Sequence, residues 1–135
     1  MPTDTLRPRS AGRWLAVAKG DLAMARRPRE PEVPWELLAF HAQQAAEKAL
    51  KSVLIMRGVR PPKTHDLADL VHALQEKEFP VPPNAEKLAD LSAFAVEARY
   101  PGAGFEEVTE DDYRGALELA LAVVGWAEKI IGGSG

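Results

Sequence analysis

Apolar residues recur at helical spacing in five stretches of the chain, and no stretch alternates in the way a half-buried strand would. The longest lies between Pro34 and Gly58 and contains neither glycine nor proline, so one long helix is predicted from Trp35 to Arg57. At about 100° per residue, Leu38, Ala42, Ala45, Ala49, Val53 and Met56 share one arc, widened by Ala46 and Leu50. The small residues on that arc allow another helix to approach closely, which makes this helix a packing spine. Its opposite side carries Gln43, Gln44, Glu47 and Lys51, with Glu47 and Lys51 spaced for an i,i+4 ion pair.

The other four helices follow from their caps and stripes. Ser10 is the expected N-cap of a first helix reaching about Arg27, with Ala11, Leu15, Ala18, Leu22 and Ala25 inward. A stiff linker rich in proline and charge leads into the spine. Thr64 is expected to cap a third helix carrying Leu67, Leu70, Val71 and Leu74, and Asn84 a fourth carrying Leu88, Leu91, Phe94, Ala95 and Ala98. Thr109 and Asp112 form a variant capping box that starts the last helix near Glu110. That helix shows two apolar stripes, Tyr113, Ala116, Leu117, Ala120, Val124 and Ala127 on one and Leu119, Val123, Trp126 and Ile130 on the other. It is therefore either central to the bundle or covered by a second subunit along the second stripe. The periodicity predicts an all-α bundle of about five helices in one domain over residues 10–131, with 1–9 and 132–135 set aside as flexible ends.

Composition narrows the function only partly. With 135 residues, 46% of them hydrophobic, the chain can bury one core. A net charge of −3 gives no general attraction to nucleic acid or to an anionic membrane, so such binding would need a local basic patch. The absence of cysteine excludes disulfides, thiolate metal sites and cysteine nucleophiles. No signal peptide or membrane span is expected, and a cytoplasmic location is.

Four motifs occur in order along the chain. Trp14, Ala18, Asp21, Leu22 and Ala25 fit a W-x-x-x-A-x-x-D-L-x-x-A pattern; His41, Gln44, Glu47 and Lys48 fit H-x-x-Q-x-x-E-K, continued by A-L-K-S to Ser52. T-H-D-L follows at Thr64 to Leu67, and A-R-Y-P at Ala98 to Pro101. In this order and spacing they resemble the bacterial and archaeal HEPN domain. The resemblance implies an up-and-down helical bundle that forms a homodimer, nucleotide or RNA binding, and a minimal nucleotidyltransferase partner in a toxin–antitoxin-like system. Some relatives are metal-independent endoribonucleases that use an Arg followed after four to six residues by a His. Here that spacing occurs at Arg60 and His65, which straddle Pro61 and Pro62 in a loop, whereas Arg99 fits the family's Arg better and is followed by Gly104, Phe105 and Glu106 where a His would stand. An Arg without its His can steady a phosphorane but has no base for the 2′-hydroxyl, so enzyme activity is the less favoured reading.

Lys48, Lys51, Arg57, Arg60 and Lys63 concentrate positive charge from the second half of the spine into the loop after it. Either they are a solvated helix end, or Lys48, Lys51, Arg60 and Lys63, joined by Arg99 and Tyr100, bind nucleotide or RNA phosphates. His65 reads as a first-turn residue of the third helix, His41 as a half-buried packing residue and His72 as a surface one. His65 with Asp69 gives two ligands where zinc needs at least three, so no metal and no cofactor is expected. The dimer interface is expected at Leu119, Val123, Trp126 and Ile130. A structural dimer without ligand is the remaining alternative.

Overall fold

The structure is a computed structural model and describes residues 8–96 and 108–133. Five α-helices occur in it, α1 (Pro8–Ala25), α2 (Trp35–Met56), α3 (Leu67–Glu76), α4 (Ala93–Val96) and α5 (Glu110–Gly133), with a 3-10 helix, Ala85–Ser92, leading directly into α4. No strand is present among the described residues, so the chain is all-α. None of the described helices is long and apolar enough to cross a membrane.

The spine is α2, and it packs against α1, α3, α4 and α5. Ala42, Ala45, Ala46 and Ala49 are fully buried, as are Ala18 and Ala25 of α1, so the two helices meet through small side chains. Leu67, Leu70 and Leu74 of α3 and Ala120, Val123 and Ala127 of α5 complete the core. The polar side of α2 differs from the expectation. Gln43 and Glu47 are buried, because the loop leading to α3 folds back over them.

Three predicted caps are corrected. Helix α1 begins at Pro8, which places Ser10 in its first turn, and it ends at Ala25 instead of Arg27. The N-cap of α3 is Asp66, whose carboxylate accepts from the Ala68 amide, and not Thr64. Asn84 adopts φ 58° and makes no side-chain cap. The fourth segment is mostly 3-10, and its larger apolar residues Leu88, Leu91 and Phe94, with Ala85, recur every third position. At three residues per turn they line up on one face, whereas an α-helix would spread them around the surface. Ala98 lies outside the described residues. The capping box of α5 is as expected, with Thr109 Oγ1 accepting from the Asp112 amide (3.1 Å) and Asp112 Oδ2 from the Thr109 amide (3.0 Å). Helix α5 runs to Gly133, so Gly132 and Gly133 belong to the helix and not to a tail.

Both α2 and α3 end in the same left-handed turn. After α2, the amides of Gly58 and Val59 bond to the carbonyls of Ile55 and Leu54, with Gly58 at φ 80°. After α3, Glu78 takes the equivalent place at φ 58°, with Phe79 bonding back to Leu74. The first of these turns fixes where the α2–α3 loop leaves the bundle.

Candidate functional site

Two side-chain groups of the same composition flank α2, each a carboxylate holding one lysine of α2 and one histidine. In the first, Asp21 of α1 accepts from Lys48 Nζ at 2.7 Å through one oxygen and meets His41 Nδ1 at 3.2 Å through the other. In the second, Glu47 accepts from Lys51 Nζ (2.9 Å) and Gln43 Nε2 (3.0 Å) and meets His65 Nδ1 at 3.1 Å. Gln44 in turn donates to Gln43 (2.7 Å), and the Lys51 ammonium stands 5.8 Å from the Trp14 ring centre. Burial alone would push the Glu47 carboxyl up, but the bonds from Lys51, Gln43 and His65 outweigh it and hold the group below its ordinary value of 4.5. Among the described residues, no buried side-chain polar atom lacks a partner.

The run Thr64–Leu67 gives each residue a separate task. Thr64 Oγ1 accepts from the Asp66 amide and donates to Asp69, His65 reaches back to Glu47, Asp66 caps α3, and Leu67 enters the core. Ser92, at the end of the 3-10 helix, accepts from the Leu67 amide (2.8 Å) and so ties that helix to the start of α3. His65 therefore precedes α3 and does not sit in its first turn. Its Nδ1 is bound to a buried carboxylate while 66% of its side chain remains exposed.

The motif residues from Asp21 to Leu67 thus account for one another in space, and comparison with known families matches the HEPN domain over residues 11–130. The chain belongs to the HEPN domain family. Neither the curated proteins nor the solved structures give a match.

Within this HEPN domain the predicted basic patch divides. Lys48 and Lys51 are both ion-paired and only 23% and 14% exposed, so most of their charge is already answered by Asp21 and Glu47. Arg60 and Lys63 are different: both lie on the loop, Arg60 and Lys63 are exposed, and neither forms an ion pair among the described residues. Arg57, at the end of α2, stacks over Phe79 at 5.1 Å. Arg99 and Tyr100 lie outside the described residues. The loop 57–66 carries the exposed side chains of Arg60, Lys63 and His65, of which His65 is bonded to Glu47 of α2.

The predicted dimer residues on α5 are also divided. Val123 is fully buried inside the chain itself, and Leu119, Trp126 and Ile130 are half-buried against the same core. Helix α5 packs against α1, α2 and the 3-10 helix. Sequence reasoning missed that Asp21, His41, Glu47 and His65 form two charge groups. The signal was present in the opposite charges of the motifs, but their pairing depends on α1 and the loop returning to α2 across 27 and 18 positions.

Proposed function

We propose that this HEPN domain is a homodimeric module that takes nucleotide or RNA phosphates on the loop 57–66 and works with a minimal nucleotidyltransferase in a toxin–antitoxin-like pair. The observation that carries this reading is the exposure of Arg60 and Lys63 without carboxylate partners among the described residues, on a loop held to α2 by the Glu47–His65 bond. An exposed cation on a fixed loop can contact a phosphate without first breaking a salt bridge, which Lys48 and Lys51 cannot. Fluorescence anisotropy with a labelled single-stranded RNA tests it. Binding should fall steeply as salt rises, because each phosphate contact releases counterions. The double variant Arg60→Glu, Lys63→Glu should abolish it, and undiminished binding by that variant sinks the reading.

A second reading, metal-independent RNA cleavage by Arg60 and His65, is favoured by one feature. A histidine whose Nδ1 donates to an anionic carboxylate keeps Nε2 free to accept a proton, the arrangement of a general base. Cleavage of the RNA in EDTA that disappears in His65→Ala while binding persists would establish it. Under the binding reading the unmodified chain leaves the RNA uncut, and His65→Ala, which frees the loop from Glu47, weakens binding.

A further inference from the structure

The Lys51 ammonium stands over the half-buried indole of Trp14, 5.8 Å from the ring centre. Lys51 is only 14% exposed, so it meets the ring from the interior side. On the outer side the ring opens into a hollow of about 350 Å3 between α1 and α2, lined by Arg13, Trp14, Val17 and Lys48. This volume lies within the range of about 300–1,000 Å3 that small-ligand sites occupy. The described lining holds two cations and no carboxylate. Lys48 keeps its ammonium on Asp21 at 2.7 Å and so offers the hollow its hydrocarbon stem, beside the exposed Val17. Arg13 is exposed and forms no ion pair among the described residues. By contrast, the hollow beside Met24 and Leu37 carries both Arg27 and Glu30 and selects neither sign of charge. The Trp14 hollow also adjoins the loop after α2. Lys51 donates to one oxygen of Glu47 (2.9 Å) and the other oxygen meets His65 (3.1 Å), so Trp14 and the loop 57–66 flank a single carboxylate group.

We propose that this hollow is a base-stacking subsite. Trp14 receives one unpaired base of an RNA strand whose phosphates lie on Arg60 and Lys63, and Arg13 takes the phosphate beside that base. This rests on the RNA reading above and narrows it to single strands. An unpaired base offers a free face to the indole, whereas a base inside a duplex has both faces covered by its neighbours. Every base has a π face and Arg13 meets only phosphate, so the subsite selects single strands without selecting sequence. Lys51, tied down by Glu47, holds the indole from beneath, and the platform is in place before the strand arrives.

Fluorescence anisotropy with two labelled oligomers of equal length tests this, one an ordinary single-stranded RNA and the other an abasic strand of ribose and phosphate only. Both offer the same phosphates to the loop. The unmodified chain should bind the ordinary strand about 5- to 150-fold more tightly, the effect of one base–aromatic stack. Trp14→Leu should remove that preference while the abasic strand binds as before and the helical circular dichroism signal is retained; Trp14→Phe, which keeps a ring, should keep most of it. Since Trp14 is half-buried, Val17→Gln supplies a variant at an exposed position of the hollow, and it should shrink the preference without touching the core. AMP brings a ring and a phosphate without a strand and should displace the RNA only at far higher concentration. Displacement by AMP at the concentration of the RNA itself overturns the strand as occupant. Equal binding of both oligomers by the unmodified chain, lost in Arg60→Glu, Lys63→Glu, overturns the subsite and leaves the RNA reading standing. A base preference that survives both Trp14→Leu and Val17→Gln overturns the subsite as well. Binding of neither oligomer overturns the RNA reading and the subsite with it.

Discussion

The imidazole of His65 and the carboxylate of Glu47 meet at 3.1 Å, one side chain mostly in water and the other 4% exposed. This bond makes the α2–α3 loop part of the packed domain, and with Lys51 and Gln43 it gives a buried carboxylate the partners that its burial requires.

Acid should loosen this connection. The Glu47 carboxyl is held below 4.5 in the folded chain, so the unfolded state binds its proton more readily. Its contribution to stability is therefore present above pH 4.5 and is lost as pH falls through the lower folded value. Urea unfolding midpoints measured downward from neutral pH should drop in that acid range, with a shallower drop in Glu47→Gln. Equal slopes for the two proteins would remove Glu47 from the account.

Charge reversal should have opposite consequences at two lysines of the same predicted patch. Lys51→Glu places a second carboxylate beside buried Glu47 and should lower folding stability by on the order of 3 kcal/mol. Lys63→Glu, on the exposed loop, should change stability by less than about 1 kcal/mol and weaken RNA binding instead. Denaturation curves and anisotropy on both variants check the pair of effects.

Ala45 is fully buried where helices meet on α2. Ala45→Phe should overpack that contact and cost about 1–3 kcal/mol, read as a lowered thermal midpoint. A neutral result would mean that the spine can move away from its neighbours without loss.

Glu78 occupies a left-handed position, at φ 58° in the turn that ends α3, which glycine adopts freely and a residue with a side chain adopts only with strain. Glu78→Gly should raise stability by roughly 0.5–1 kcal/mol. Chemical denaturation is sufficient to see it, and a loss of stability would show that the Glu78 side chain makes up for its backbone strain.

The sequence by itself determined the helices, the spine and the family. Proline and glycine bound α2, the three-residue repeat from Ala85 to Phe94 runs along a 3-10 helix that a helical reading overlooks, and the Thr109–Asp112 box starts α5 where its residues say it should. Only the tertiary structure decided what the polar motif residues do. Glu47 and Lys51 look like a solvated pair on the helical wheel. Their burial depends on a loop that the wheel does not contain, and the change from exposed pair to buried anchor comes from His65 returning across 18 positions. The same holds for Lys48, whose partner Asp21 belongs to another helix, and for Val123, which faces the core because of how α5 leans on its neighbours. Spacing along one helix fixes which side chains share a face. What covers that face depends on contacts between segments distant in sequence, and those set whether a charge is free to bind a phosphate or is already paired within the fold.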